Sequence, residues 1–269
     1  MRVSVVIPVH NEAENIERLL LEVESALTPD GSFEIVVVDD GSSDNTAGIL
    51  NGLKQTISTL RVVRHKSCCG QSTALMSGIR ASVSPLIATL DGDGQNDPSD
   101  LPRMIEQIYS SPANSPLQMV AGFRNKRRDS VWRLFCSRVA NGVRSRILQD
   151  ETPDTGCGIK VFVRDTFLRM PHFNHMHRFL PSLIIRSGGK VVSVPVNHRP
   201  RVHGSSHYGT VKRLLHGIID LAGVAWLIQR NRLPVIDQLD AAHDERTDLD
   251  SIRFDGTIPL HRPVRRAVA

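Results

Sequence analysis

Two carboxylates separated by one glycine, Asp91 and Asp93, are the residues of this chain best suited by type and spacing to hold a hard divalent cation. They follow the apolar run 85–90, which has the length and flanks of a buried strand, so both acids fall where that strand stops. Side chains two residues apart on extended chain point the same way. Carboxylates so placed can share one ion and leave coordination positions for phosphate oxygens. Gly92 and Gly94 let the backbone turn, and Gln95 adds a neutral oxygen. An acid pair at a strand end is also a common solvated turn, so its meaning depends on what other loops bring to it.

The elements that must position these acids repeat along the first hundred residues. The run 3–7 is broken by Pro8-Val9-His10-Asn11-Glu12 before a helical spacing of Ile16, Leu19, Leu20 and Val23. The run 33–38 ends in Asp39-Asp40-Gly41-Ser42-Ser43-Asp44-Asn45-Thr46 ahead of Ile49, Leu50 and Leu53, and 60–63 leads through Gly70-Gln71 to Leu75, Met76 and Ile79. Repeated β-then-α units predict an α/β fold with a mostly parallel central sheet flanked by helices. Ligands of such sheets bind outside the carboxyl ends of the strands, where Asn11, Glu12, Asp39, Asp40, Gln71, Asp91 and Asp93 all fall. The first strand is not followed by G-x-G-x-x-G, which excludes a dinucleotide-binding Rossmann site.

Further along, a strand over 118–121 leads to Gly122-Phe123-Arg124, and residues 124–146 hold eight basic side chains against the single Asp129. That block suits either phosphate-bearing partners or a solvated face of a helix over about 130–148. Only Trp132 and Phe135 interleave with its arginines, so nucleic acid is not an expected partner. Asp154 opens a glycine-bracketed turn, Asp154-Thr155-Gly156-Cys157-Gly158, before a short strand over 159–163. There it is either a turn residue or a second active-site carboxylate. His172, His175 and His177 invite a metal reading, but no other ligand type lies near them in sequence. After a strand over 190–196, the polar loop 197–208 offers many donors and almost no negative charge. A final helix at about 211–230, bracketed by Lys212, Arg213, Arg230 and Arg232 and carrying Trp226, either docks on the domain or lies in a membrane interface.

Composition narrows the class. With 269 residues and 40% hydrophobic content the chain can bury a large core. Four cysteines without a C-x-x-C pair indicate neither a disulfide framework nor a zinc finger, and point to a reducing compartment. No secretion signal is expected at the start, and the longest late apolar stretch, 214–228, is too short to span a bilayer. Net charge is +5, and residues 234–269 carry seven acids against five arginines with few large apolar groups, which predicts a disordered tail after a domain over 1–233.

The motifs Ile-Pro-Val-His-Asn-Glu12, Val-Asp-Asp-Gly-Ser-Ser-Asp-Asn-Thr46, Gly70-Gln-Ser-Thr-Ala-Leu75, Leu-Asp-Gly-Asp-Gly-Gln95, Asp154-Thr-Gly-Cys-Gly158, His177-Arg-Phe-Leu-Pro181 and Arg201-x-x-Gly-x-Ser206 occur in one order over residues 3 to about 230. Together they resemble the family 2 glycosyltransferases of GT-A fold, within them the polyprenyl-phosphate sugar synthases similar to dolichol-phosphate mannosyltransferase.

The resemblance implies that Pro8, Asn11, Glu12, Asp39 and Asp40 hold the base and ribose of a GDP- or UDP-linked sugar, with Gly70 and Gln71 nearby. Asp91 would contact the nucleotide, and Asp93 and Gln95 would coordinate Mg2+ or Mn2+ on the diphosphate. Arg124, Arg138, Arg201 and Ser206 become candidates for the diphosphate and the acceptor phosphate, with Arg178 and His207 as further second-site candidates. The expected activity is metal-dependent, inverting transfer of a sugar to a polyprenyl phosphate by an enzyme held peripherally on the cytoplasmic face of a membrane. Two alternatives stay open: transfer to a saccharide hydroxyl, for which Asp154 would be the base, and a nucleotide-sugar-binding protein without turnover.

Overall fold

The computed structural model describes residues 3–112, 115–124, 142, 144–200 and 210–230, with side chains of the last segment described from Gly217 onward. Most of the basic block, including Arg138, lies outside the described residues. So do Arg201, Ser206, His207 and the tail from residue 231.

Seven strands form one sheet: β1 (Val3–Val9), β2 (Phe33–Asp39), β3 (Leu60–Arg64), β4 (Leu86–Thr89), β5 (Leu117–Arg124), β6 (Lys160–Val163) and β7 (Lys190–Val196), in spatial order β3-β2-β1-β4-β6-β5-β7. β1 pairs in parallel with β2 and β4, β2 with β3, and β5 with β7. β6 alone runs the other way, antiparallel to both β4 and β5. Every residue of β1 is buried, as expected of a central parallel strand covered on both faces, and this is why its sequence is almost continuously apolar.

Helices cover both faces: α1 (Ile16–Leu27), α2 (Thr46–Leu53), α3 (Gln71–Ala81), α4 (Leu101–Tyr109), α5 (Arg164–Leu168), α6 (Leu180–Arg186) and α7 (Thr210–Arg230). Alternation along β1 divides the core. Val5 and Ile7 pack with Ile16, Leu19 and Leu20 of α1 and Met104 and Ile105 of α4, whereas Val6 packs with Leu75 and Ile79 of α3 and with Leu183 and Ile184 of α6.

The reversal of β6 sets the position of the turn before it. The first residue of the strand, Lys160, is registered against Thr89 at the end of β4. The preceding turn therefore opens at the carboxyl edge of the parallel strands, although it lies at an amino end.

The last helix, α7, packs one apolar side inward. Val224 is buried, Leu221, Ala225, Leu227 and Ile228 pack beside it, and Asp220 reaches His175 Nδ1 at 2.9 Å. Ile218, Ile219 and Trp226 stand exposed. α7 has two apolar sides, and the contact between Asp220 and His175 lies on the docked one.

Candidate active site

The carboxyl edge of the sheet gathers the loops after β1, β2, β3 and β4 and the turn before β6. The first two are latched together. The Asn11 backbone N–H donates to Ser42 Oγ at 3.0 Å, and Asn11 Oδ1 accepts from the Ser43 N–H at 2.8 Å. The Glu12 N–H donates to Thr46 Oγ1 at 3.0 Å, and the Ala13 N–H to Asp44 Oδ2 at 3.1 Å. Asn11 adopts a left-handed backbone, φ 57°, which asparagine tolerates better than bulkier residues. Pro8 is buried within β1, one residue before the strand's end.

Asp39 and Asp40 divide their work. Asp39 is fully buried, and its Oδ1 accepts from the Ser42 N–H at 2.9 Å. Arg64 Nε lies 3.2 Å from Asp39 Oδ2 but outside hydrogen-bond geometry, so this oxygen has no hydrogen-bond partner among the described residues. It is an acceptor in want of a donor. Asp40 faces its own scaffold: Oδ1 accepts from the Cys69 N–H at 2.8 Å and lies 2.7 Å from His65 Nδ1, while Oδ2 accepts from the Gly70 N–H at 2.7 Å. Burial works against the charge of Asp40, and these donors more than offset it, holding its pKa below the ordinary value. Asp40 therefore shapes the loop that delivers Gly70 and Gln71.

Gln71 in turn reaches the acid pair, donating from Nε2 to Asp91 Oδ1 at 2.8 Å. The Asp91 N–H donates to Asn96 Oδ1 at 3.0 Å, and Asp93 Oδ1 accepts from the Gln95 N–H at 3.1 Å. Gly158 packs so closely against the Asp91 carboxylate that a Cβ there would overlap it. Burial pushes the pKa of Asp91 up, and the charge of Asp93 adds to this; Lys160, Arg124 and the Gln71 hydrogen bond pull the other way. A partly buried carboxylate repelled by its neighbour is a place where a divalent cation gains much, and the donor set of Asp91, Asp93 and Gln95 is all oxygen, as Mg2+ or Mn2+ prefers.

Opposite the acids, Arg124 at the end of β5 donates from Nε to Asp154 Oδ2 at 2.6 Å and from Nη2 to Asp154 Oδ1 at 2.9 Å. Burial opposes the charge of Arg124, but the Asp154 pairing outweighs it and keeps the guanidinium firmly protonated. Lys160 is buried below them and donates to the Cys157 carbonyl; burial pushes its pKa down against the pull of the nearby acids. On the other flank, Arg199 binds Glu22 of α1 at 2.5 Å and Asp97 at 2.9 Å, and its N–H donates to the Gln95 carbonyl at 2.9 Å. The segment leading to Arg201 thus starts beside the acid loop.

The structure brings Asn11, Glu12, Asp39, Gln71, Asp91, Asp93, Gln95, Arg124 and Asp154 to this one edge. Arg178 is half-buried in a short 3₁₀ turn, Met176–Arg178, tied to α3 by a 2.8 Å contact between His177 Nδ1 and Ser72 Oγ. The three neighbouring histidines point to different partners: His172 to Met176 Sδ, His175 to Asp220 and His177 to Ser72. They do not converge on a metal. Sequence reasoning missed Lys160, though a charged residue inside an apolar strand is itself a signal. It also missed His65 and Arg199, which carry no such signal.

Residues 4–169 match the model of the family described as "Glycosyl transferase family 2". Among curated proteins, the chain is 35% identical over 221 residues to undecaprenyl-phosphate 4-deoxy-4-formamido-L-arabinose transferase of Edwardsiella ictaluri, covering 81% of this chain and 66% of that protein. It is 31% identical over 241 residues to dodecaprenyl-phosphate galacturonate synthase of Rhizobium johnstonii, covering 87% and 69%. The chain thus spans about two thirds of the length of these relatives. Among solved structures, a mannosyltransferase from Pyrobaculum calidifontis with GDP-Man and Mn2+ superposes with a TM-score of 0.65 at 21% identity, covering 87% of this chain and 66% of that one. Glucosyl-3-phosphoglycerate synthase from Mycobacterium tuberculosis with Mn2+ and UDP gives 0.62 at 18% identity, covering 84% and 79%. The fold is GT-A, and the chain belongs to glycosyl transferase family 2.

Proposed function

We propose that this chain transfers a hexose or hexuronate, with inversion, from a nucleotide diphosphate sugar to a polyprenyl phosphate at the cytoplasmic face of a membrane. The observation that carries the acceptor class is the Arg124–Asp154 pair. Both Asp154 oxygens accept from the guanidinium, a poor arrangement for a general base and a good one for fixing a cation. A lipid phosphate is ionised at neutral pH and needs no base. The names of the two curated relatives, both prenyl-phosphate sugar transferases, favour the same reading.

The buried Asp39 Oδ2 suits a donor on the nucleotide base, and Asn11 and Glu12, latched to the loop after β2, would lie beside it. Asp91, Asp93 and Gln95 would hold Mg2+ or Mn2+, which supplies charge stabilisation to the departing diphosphate. Gln71 holds Asp91 in place by its hydrogen bond, and the charge of Lys160 partly offsets the upward push of burial on the Asp91 pKa. Arg124 neutralises and aims the attacking phosphate, because bringing two anions together is the main obstacle in such a reaction. One phosphate oxygen of the acceptor forms a bond to the anomeric carbon as the bond to the nucleotide diphosphate breaks, and the leaving electron pair stays on the diphosphate. Arg201 and Ser206 are assigned to the same anions through a family motif, and Arg138 by its spacing alone.

Membrane contact in this proposal falls to α7. No helix among the described residues is long and apolar enough to cross a bilayer, whereas Ile218, Ile219 and Trp226 form an exposed apolar side next to Arg230.

The test is to incubate the protein with labelled nucleotide sugars and a polyprenyl phosphate and to partition the products. Label in the butanol-extractable lipid, with release of one nucleoside diphosphate, is the expected result. Label confined to water-soluble saccharide would overturn the lipid acceptor.

A further inference from the structure

Beside the nucleotide pocket, the loop after β3 carries a second set of metal-ligating side chains that the transfer chemistry does not use. Asp40, His65 and Cys69 come from the ends of two strands and the loop after β3; a carboxylate oxygen, a ring nitrogen and the Cys69 Sγ all lie within 4.8 Å of one another, and Asp40 Oδ1 is 2.7 Å from His65 Nδ1. Cys68 Sγ lies 3.4 Å from Asp40 Oδ2. The loop is held at several points rather than loosely draped. The His65 N–H donates to the Asp39 carbonyl at 2.9 Å, the Cys69 and Gly70 N–H groups donate to Asp40, and Gly41, with φ 68°, lets the backbone at Ser67 and Cys68 pack directly on it.

We propose that Asp40, His65 and Cys69 form a second cation site, selective for a soft divalent ion such as Zn2+ and separate from the oxygen-donor pair Asp91 and Asp93. The donor set decides the selectivity. Imidazole nitrogen, thiolate sulfur and one carboxylate oxygen are Zn2+ ligands, whereas Mg2+ requires oxygen. His65 already has the outer partner that such ligands use, because its Nε2 lies 2.9 Å from Ser77 Oγ. With the ion on Nδ1, the proton of the ring sits on Nε2 and donates to Ser77. The ion enters between His65 Nδ1 and Asp40 Oδ1 in place of their direct contact, and the Cys69 thiol releases its proton on binding. Asp40 can keep its two backbone donors while it binds the ion. The site adjoins Gly70 and Gln71, so its occupancy bears directly on the side chain that holds Asp91.

The experiment uses the full chain in excess Mg2+. Cd2+ is titrated while thiolate-to-metal charge-transfer absorption is followed, and Zn2+ binding is measured by calorimetry. The expected result is one equivalent of each ion, not displaced by Mg2+. Cys69→Ser, at an exposed position, should abolish the absorption band and weaken Zn2+ by at least about tenfold, while Ser77→Ala weakens it about 10- to 100-fold through the outer partner. Cys136→Ser and Cys157→Ser should leave both signals intact, with circular dichroism confirming that each variant is folded. Absence of binding in the natural chain, a band that survives Cys69→Ser, or loss of the band in Cys136→Ser or Cys157→Ser would each overturn the proposal.

Discussion

The guanidinium of Arg124 and the carboxylate of Asp154 meet through two hydrogen bonds, 2.6 Å from Nε and 2.9 Å from Nη2, across the carboxyl edge of the sheet. Asp154 is almost fully buried, and Arg124 keeps about a fifth of its side-chain surface exposed. The pair therefore has one inward end that is anchored and one outward end that can meet an anion. Arg124→Ala leaves a buried carboxylate without its partner, a change that typically costs about 3–5 kcal/mol, and denaturant unfolding measures it. Asp154→Asn separates the two roles considered for this acid. If it positions Arg124, kcat/KM falls while the pH–rate profile keeps its shape; if it is a base, the acidic limb of that profile disappears.

Gly158 and Asp91 supply a second prediction. A methyl group at 158 must displace the Asp91 carboxylate or the strand start behind it. Gly158→Ala should lower transfer activity by about 100-fold, the scale on which a misplacement near 1 Å acts. Nucleotide-sugar binding measured by calorimetry should weaken alongside it. Unchanged binding and turnover would show that Asp91 does not need this tight backing.

The acid pair also predicts a pH and metal dependence. Burial and the charge of Asp93 raise the folded-state pKa of Asp91, so stability is lost as pH rises from the ordinary carboxylate value through that raised value. Asp93→Asn removes the repulsion and should raise the neutral-pH melting temperature of the metal-free protein, by roughly 2–4 °C for each kcal/mol recovered. Mg2+ with nucleoside diphosphate should stabilise the natural chain clearly and the variant little. Asp40 acts with the opposite sign. Its pKa is lowered despite burial, so its contribution is present above the ordinary carboxylate value and is lost on acidification. Thermal melts across pH, with and without Mg2+, separate the two.

The exposed side of α7 yields the last prediction. Ile219 and Trp226 are 69% and 60% exposed, so replacing them leaves the docked side with Val224 untouched. Ile219→Asp and Trp226→Asp should each reduce flotation with anionic liposomes by about 10- to 100-fold, the equivalent of losing one buried large side chain. Turnover of a short, water-soluble prenyl phosphate should change little. Equal flotation of the variants and the natural chain would remove the helix from membrane contact.

Much of this arrangement is legible in the chain itself, for local reasons. Continuous apolar runs such as 3–7 and 33–38 fix buried parallel strands, and a strand that ends in acids and glycines sets those residues at a ligand-binding edge whatever the packing. That sufficed to place Asn11, Asp39, Gln71, Asp91 and Asp93 together, and the family motifs named the chemistry. Tertiary structure alone decided three further matters. The direction of β6 depends on pairing between strands about 70 residues apart, so only the fold could bring Asp154 and Lys160 to the same edge as Asp91. The different tasks of adjacent Asp39 and Asp40 depend on which backbone N–H groups the distant loop 65–70 presents. The inward face of α7 depends on long-range packing, marked by the contact of His175 with Asp220, because the helix offers two apolar sides and its own periodicity cannot choose between them.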